Sequence, residues 1–348
     1  MSNISAYAAK SEDGKLQPFS IERRDVQSND VLIEILHCGV CHSDLHAIKN
    51  DWGNSQYPLV PGHEIIGVVK KVGGDVSKFK EGDTVGVGCL VDSCLSCEAC
   101  DDDLEQHCEK QPTMTYNSKS EDPGGMTYGG YSKRIVVREE FVLKIPENLD
   151  KAGAAPLLCA GITTYSPLHE YGVKEDMTVG IIGLGGLGHM GIKLSAAMGA
   201  RTVMITTSEG KAKDAKELGA DEVLISTNDD DMKKWAGKFD FLLNTIPVGH
   251  DINPYLTLLK HNKTMVLVGA IEPLDSVNGA LLVTGRKAVA GSFIGGLKET
   301  QEMLDFCGEH NVVSTIETIK MADINDAFER MEDNDVRYRF VIDMATLD

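Results

Sequence analysis

The sequence contains few aromatic residues and comparatively little positive charge. Aromatic side chains make up 6% of the 348 residues, and 34 lysines and arginines face 53 aspartates and glutamates, which gives a formal net charge of −19. Such an acidic protein repels the phosphate backbone of nucleic acids and the surface of anionic membranes. Neither a nucleic acid nor a membrane is therefore an expected partner.

Long apolar runs are also missing. No run reaches the roughly 18 residues that a membrane-spanning helix needs, and the first residues lack the charged segment and apolar core of a signal peptide. Nine cysteines without an export signal favour free thiols and metal sites over a disulfide framework. The sequence thus predicts a cytoplasmic protein.

Two patterns of secondary structure divide the chain, which is too long for one compact core. Up to about residue 150, short apolar runs between glycine and aspartate turns predict strands; from about residue 160, strands alternate with helices, as in a parallel doubly wound sheet. The tail predicts helices at 298–309 and 324–332 and a closing strand at 339–342. The other predicted strands cover residues 31–36, 65–72, 84–87, 131–137, 141–145, 178–182, 202–205, 222–225, 239–243, 264–268 and 288–291.

A thiol, an imidazole and two carboxylates lie close together between residues 41 and 64. Cys41 begins C-H-S-D-L-H, which includes Asp44, and His63 and Glu64 follow after a short spacer. Zinc accepts thiolate and imidazole together, and a catalytic zinc site needs three protein ligands and one open position. A lone buried cysteine or histidine is usually a core residue, but this combination favours a metal site, with Cys159 as the best remaining thiol.

A glycine-rich turn predicts a dinucleotide site. Residues Gly183, Leu184, Gly185, Gly186, Leu187 and Gly188 form G-x-G-x-x-G between a predicted strand and a predicted helix, where a pyrophosphate approaches the helix N-terminus. After the next strand come the hydroxyls of Thr206, Thr207 and Ser208 and the cation of Lys211. Small hydroxyls with a nearby cation suit a 2′-phosphate and predict NADP(H), although Glu209 could serve a bare ribose instead.

Four cysteines lie in one short loop. Their spacing is C-x-x-C-x-x-C-x7-C, which suits a closed tetrahedral zinc site that holds the loop together. An iron–sulfur cluster is the competing interpretation, against which the long last gap and the missing Cys-Pro ending count. These cysteines are Cys94, Cys97, Cys100 and Cys108, whereas Cys38, Cys89 and Cys307 are interpreted as thiols without a metal.

These motifs together resemble those of zinc-dependent medium-chain alcohol dehydrogenases, most closely the cinnamyl alcohol dehydrogenase branch. The similarity covers essentially the whole chain and includes G-V-C-H-S-D-L-H at 39–46, P-G-H-E at 61–64, L-L-C-A-G-I-T-T-Y-S-P-L at 157–168 and G-S-F-I-G at 291–295. The resemblance implies a GroES-like β-barrel catalytic domain at 1–160 and 294–348. It implies that this domain is interrupted by a Rossmann domain at 161–293, and that the protein is a homodimer.

The resemblance also implies roles for single residues. Cys41, His63 and Cys159 would be ligands of a catalytic zinc, Glu64 would enter its coordination transiently, and Asp44 would orient His63. Met114 stands where plant members of the branch have a tryptophan, and Trp52 could supply an aromatic wall of the substrate pocket instead. Further cofactor contacts would come from Thr163, Gly269, Ser292, Phe293 and Ile294.

The implied reaction is reversible hydride transfer between NADP(H) and a primary alcohol/aldehyde pair, of cinnamyl type or medium-chain aliphatic, with zinc as Lewis acid. Ser43 could pass on the alcohol proton, and His46 could exchange it with solvent. A polyol or sugar dehydrogenase of the same superfamily is the alternative enzyme. A catalytically silent redox-responsive binding protein would lack a zinc ligand, and a zinc-free quinone reductase would not need either cysteine set.

Overall fold

The computed structural model describes residues 2–269 and 272–347, and the chain divides into two units. One unit runs to Cys159 and resumes at Gly296, and the other spans Ala160–Gly295. The sequence placed the boundaries at 160/161 and 293/294; that the first unit is catalytic and the second binds the cofactor stays a prediction. Along the described residues, no helix is both long enough and apolar enough to cross a bilayer.

The first unit opens with an antiparallel hairpin that the sequence patterns did not predict, because its strands carry many exposed polar residues. The predicted strand at 141–145 is also shorter than expected, since a turn of 3-10 helix occupies Glu139–Phe141. The elements of this part are β1 Ser2–Ala9, β2 Leu16–Arg23, β3 Asp30–Val40, α1 His42–Ile48, β4 Ile65–Val72, β5 Thr84–Val87, β6 Leu90–Asp92, α2 Glu98–Asp101, β7 Thr113–Met114, β8 Arg134–Arg138, β9 Leu143–Lys144 and α3 Lys151–Ala154.

The second unit is a six-stranded parallel sheet with helices between its strands. The strands lie side by side in the order β12-β11-β10-β13-β14-β15. From β10 the chain adds strands first on one side of the sheet and then, from β13, on the other side, as in a dinucleotide-binding fold. The predicted doubly wound sheet is therefore confirmed. Its elements are α4 Ala160–Glu170, β10 Thr178–Ile182, α5 Gly186–Ala197, β11 Arg201–Thr206, α6 Ala212–Glu217, β12 Glu222–Ile225, α7 Asp229–Trp235, β13 Phe239–Asn244, α8 Asn253–Leu258, β14 Leu259–Leu267, α9 Gly279–Gly285 and β15 Ala288–Gly291.

The tail completes the main sheet of the first unit. It contains α10 Leu297–His310, β16 Ile316–Lys320, α11 Ile324–Glu332 and β17 Arg339–Asp343. The seven-stranded sheet has the order β16-β17-β3-β4-β5-β9, with β8 also beside β3. Because β17 and β4 both pair with the end of β3, at Val40 and Cys38, three strand ends meet at one place.

Candidate metal and cofactor sites

The first cluster of possible metal ligands forms where these three strand ends meet. Cys41 directly follows β3, and Glu64 directly precedes β4, where its carbonyl accepts a hydrogen bond from Gly39 N at 2.9 Å. The ligand atoms of four buried side chains all lie within 4.8 Å of one another: those of Cys41, His63, Glu64 and Cys159. The structure thus brings together all the residues in which a catalytic metal site was predicted.

Asp44 organises the hydrogen bonds around this cluster. Its fully buried carboxylate accepts from the backbone N–H of Cys41 at 3.0 Å and of Gly62 at 3.0 Å, and from the hydroxyl of Tyr131 at 3.3 Å. It also lies 3.1 Å from Nδ1 of His63. A proton held between Nδ1 and a carboxylate leaves Nε2 of the imidazole free to bind a metal, which is the contact that the predicted orienting role of Asp44 requires.

Glu64 has one occupied and one unoccupied carboxylate oxygen. Oε1 is paired with the buried Arg339, whereas Oε2 has no hydrogen-bond partner among the described residues. Burial raises the pKa of Glu64 to about 7, against the opposing charge of Arg339. A Cβ atom at Gly39 would lie 1.9 Å from Oε2, so glycine provides the room for this oxygen. A buried carboxylate oxygen without a partner, beside two thiols and an imidazole, fits a zinc ion with an exchangeable fourth ligand.

The thiols of this cluster influence one another. Hydrogen bonding with Cys159 and the charge of Arg339 lower the pKa of Cys41 well below its usual value, and the thiolate is the form that binds metals. Sγ of Cys41 also lies 3.6 Å from the hydroxyl of Ser43. Cys89, interpreted from the sequence as a thiol without a metal, contacts this cluster through Cys159, and that hydrogen bond lowers the pKa of Cys89.

The four-cysteine loop forms the second cluster. The sulfur atoms of Cys94, Cys97, Cys100 and Cys108 lie within 4.8 Å of one another. Backbone N–H groups point at two of them: Cys94 N lies 3.4 Å from Sγ of Cys108, and Glu109 N lies 3.5 Å from Sγ of Cys97. The pKa of Cys94 is lowered to about 6, chiefly by the backbone N–H of Ser96. Four sulfurs this close together, two of them facing backbone N–H groups, fit a closed zinc site.

The glycine turn joins β10 to α5 as predicted. Gly183 has a φ of 94°, and a Cβ at Gly188 would lie 2.0 Å from the carbonyl oxygen of Gly183, so both positions need glycine. At Gly185, the residue before α5, an added Cβ would meet no described atom within 4 Å. The backbone there is open to a ligand at the N-terminus of a twelve-residue helix, which fits a pyrophosphate. Gly186 and Leu187 begin that helix.

The polar groups that were predicted to favour NADP(H) over a cofactor with a bare ribose lie at the end of β11. Thr206 ends the strand, and its Oγ1 accepts from the N–H of the exposed Ser208 at 3.3 Å. The ammonium group of Lys211 lies 3.4 Å from the carbonyl oxygen of Leu184 in the glycine turn. A cation beside the turn suits an added phosphate. Thr207 and Glu209 are exposed on the same segment.

The other predicted cofactor contacts occupy several elements of the second unit. Thr163 is buried in α4, and a Cβ at Gly269 would lie 2.5 Å from the carbonyl oxygen of Thr245. Ser292 N donates to the carbonyl oxygen of Leu267 at 3.1 Å, next to the exposed Phe293 and the buried Ile294. The roles of these five residues in cofactor binding stay predictions.

The predicted proton-transfer and substrate residues also lie in the first unit. Nδ1 of His46 lies 2.7 Å from the carboxylate of Asp51, and its ring centroid is 5.7 Å from that of Trp52. Trp52 is 41% exposed, and Met114 is half-buried in the short strand β7. Their functions remain predictions.

Residues without a sequence signal complete the first cluster. Arg339 occurs in a polar stretch near the end of the chain, and only the pairing of β17 with β3 places it beside Glu64. Tyr131 follows two glycines in what looks like an ordinary turn before a strand. The sequence also gives no sign that Gly39 lies against the side chain of Glu64, although Gly39 belongs to the motif around Cys41.

Comparison with known proteins decides the family. Residues 27–147 match the alcohol dehydrogenase GroES-like domain, and residues 186–309 match the zinc-binding dehydrogenase family. Aldehyde reductase YahK of Escherichia coli is 54% identical over 99% of this chain and 98% of its own. The chain belongs to the zinc-dependent medium-chain alcohol dehydrogenases, in the cinnamyl alcohol dehydrogenase branch.

Other members of this dehydrogenase family extend the comparison. A probable mannitol dehydrogenase of Medicago sativa is 51% identical over 97% of this chain and 94% of its own. A cinnamyl alcohol dehydrogenase of Sorghum bicolor has the same fold, with a TM-score of 0.96, 46% identity and coverage of 100% and 99%. The Helicobacter pylori enzyme complexed with NADP(H) gives a TM-score of 0.92, 39% identity and coverage of 99% and 99%. The predicted GroES-like and Rossmann fold is confirmed.

Proposed function

We propose that this chain is a zinc-dependent, NADP(H)-linked alcohol dehydrogenase that interconverts aldehydes and primary alcohols, of cinnamyl type or medium-chain aliphatic. The observation that supports it best is the buried cluster of two thiols, one imidazole and one carboxylate with an unpartnered oxygen. Closed structural zinc sites use four fixed ligands, whereas this set offers three firm donors and one exchangeable donor. Such an arrangement suits catalysis.

Three side chains would hold the catalytic zinc: Cys41, His63 and Cys159. When bound, zinc supplies Lewis-acid polarisation of an alcohol or carbonyl oxygen, and the nicotinamide supplies the hydride chemistry. Asp44 fixes the imidazole of His63 through Nδ1, and Arg339 keeps one oxygen of Glu64 away from the cluster. These contacts set the orientation of the donors before a substrate binds.

Ser43 and His46 are proposed to move the alcohol proton. With Cys41 bound as a thiolate, the hydroxyl of Ser43 has no thiol proton to accept and is free to relay a proton from the alcohol. His46 is partly exposed, and Asp51 faces its Nδ1, so its Nε2 is the atom that exchanges a proton with solvent.

The preference for NADP(H) is proposed from the end of β11. Lys211 offers a cation beside the glycine turn, and Ser208 offers an exposed hydroxyl on the segment after β11. The Helicobacter pylori relative was solved with NADP(H). Replacing both residues, Ser208→Ala with Lys211→Ala, should raise the KM for NADPH by about tenfold or more, because a charged hydrogen bond contributes roughly 1.5–3 kcal/mol. The KM for NADH should change little. Lys213→Ala is the matched control, since that lysine pairs with Glu217 on the exposed face of α6.

Initial rates with zinc-loaded protein test the proposed function. Cinnamaldehyde and hexanal should be reduced with NADPH at a clearly higher kcat/KM than with NADH. Mannitol oxidation should be slower than cinnamyl alcohol oxidation. Faster mannitol oxidation would favour the polyol dehydrogenase function, for which the Medicago sativa relative is the reason. No turnover of any of these substrates by protein containing two zinc ions would overturn the assignment.

A homodimer and a cytoplasmic location are part of the proposal. Strand β15 ends the sheet of the second unit, and among the described strands it pairs only with β14. Nearby α9 contains no buried residue, and its Val283 is 82% exposed. An exposed edge strand beside apolar side chains suits pairing with a second copy. Val283→Glu should therefore convert a dimer to a monomer in light scattering. No disulfide forms among the nine cysteines, all of which lie in the described residues, and this suits a reducing compartment.

A further inference from the structure

Tyr116 lies against the proposed catalytic metal site without having been assigned any role there. We infer that Tyr116 is a positioning residue: its ring lies against His63 and its hydroxyl lies beside Asp44, so that it fixes both the ligand and the carboxylate that orients it. The inference rests on the proposed function, because it assumes that His63 binds the catalytic metal.

The geometry places Tyr116 over both groups. Its ring centroid is 5.7 Å from that of His63, with 50° between the two ring planes. The hydroxyl of Tyr116 is a hydrogen-bond partner of the buried carboxylate of Asp44. A tyrosine hydroxyl carries its proton at neutral pH and can donate it to a carboxylate.

The backbone around Tyr116 is held on both sides. Thr115 N donates to the carbonyl oxygen of Cys89 at 2.9 Å, and Thr115 Oγ1 donates to that of Gly88 at 2.5 Å. On the other side, Oδ1 of Asn117 accepts from Gln56 N at 2.9 Å. A side chain supported in this way has few alternative positions, as a positioning role requires.

Asp44 gains most from this contact. The carboxylate of Asp44 accepts hydrogen bonds from two backbone N–H groups and from the hydroxyl of Tyr131, and it also faces His63. A further donor from Tyr116 leaves the carboxylate little freedom to turn away from His63. The tyrosine ring also restricts rotation of the imidazole, so that Nε2 keeps its direction toward the thiols.

Metal binding tests the inference independently of activity. Protein stripped of metal is titrated with Co²⁺ and with Zn²⁺ against a chelator, and the four-cysteine site serves as the internal reference. Tyr116→Phe keeps the ring and should weaken binding at the catalytic site about tenfold, since second-layer contacts contribute 10–100-fold to metal affinity. Tyr116→Leu removes ring and hydroxyl, and should weaken binding about 100-fold and shift the Co²⁺ d–d bands. Affinity at the four-cysteine site should stay unchanged in both variants.

Tyr57→Phe is the matched control, because the Tyr57 hydroxyl donates to the carbonyl oxygen of Ile48 at 2.7 Å and belongs to the same unit. It should bind metal like the wild type. Wild-type affinity at the catalytic site in both Tyr116 variants would overturn the inference. Equal weakening at both sites with a lower Tm of the metal-free protein would also overturn it, because the tyrosine would then be only structural. If the wild type takes up two metals without turnover, the proposed function fails. The metal affinities of the Tyr116 variants can still be compared with that of the wild type in that case.

Discussion

The two cysteine clusters of the first unit use similar donors in different ways. In one, four thiols come from a single loop, and backbone N–H groups of that loop donate to two of them. In the other, two thiols and an imidazole come from separate segments, and side chains such as Asp44 and Arg339 surround them. The local cluster is completed by its own sequence, whereas the dispersed one depends on the whole sheet. Holding a loop needs only the first arrangement; leaving one coordination position free needs the second.

Removal of one thiol from the local cluster should have the largest effect. Cys100→Ala leaves three ligands, and the loop should lose its zinc together with more than about 5 kcal/mol of stability, as is typical when a structural metal is lost. Thermal unfolding and zinc content measure this. Cys307→Ala, a buried thiol elsewhere in the unit, should keep both zinc ions and cost less. An unchanged Tm of the Cys100→Ala protein would show that the four-cysteine cluster does not stabilise its loop through a metal.

The reciprocal change at the dispersed cluster should affect chemistry more than stability. Cys41→Ala should lower kcat/KM by roughly 1,000-fold or more, because Lewis-acid stabilisation amounts to several kcal/mol. The four-cysteine zinc and NADPH binding should persist, as judged by metal analysis and by quenching of protein fluorescence. Retained turnover would remove Cys41 from the catalytic site.

The pKa of Glu64 makes the stability of the dispersed cluster depend on pH. Its pKa in the folded protein is about 7, above the value of about 4.5 in the unfolded chain, so the folded state holds a proton that the unfolded state releases. In protein without the catalytic metal, the contribution of Glu64 to the free energy of unfolding is fully present below about pH 4.5. As the pH rises from there to about 7, the free energy of unfolding falls by about 3 kcal/mol.

Glu64→Gln keeps the shape of the side chain and removes the titration. The unfolding free energy of the wild type should therefore fall relative to that of this variant between pH of about 4.5 and 7. Parallel pH curves for the two proteins would show that Arg339 keeps the carboxylate ionised throughout.

The comparison also explains what the sequence could predict. The four-cysteine spacing, the glycine turn and β10 are local patterns, and the structure places them as expected. Cys159 could be proposed only as the best remaining thiol or by family resemblance, because its distance from Cys41 depends on the fold. Arg339 and Tyr116 carry no sequence signal at all, since their surroundings arise from strand pairing and loop conformation.

The same difference sets an order in which the two clusters can form during synthesis. Cys94 and Cys108 are 14 residues apart, whereas Glu64 and Arg339 are separated by 275. Closing the longer segment costs roughly 2–3 kcal/mol more chain entropy, and it must wait until nearly the whole chain has left the ribosome. The four-cysteine loop can take up its metal on a nascent chain while the Arg339–Glu64 pair cannot yet exist. A chain truncated before β17 is thus expected to contain one zinc ion and no activity.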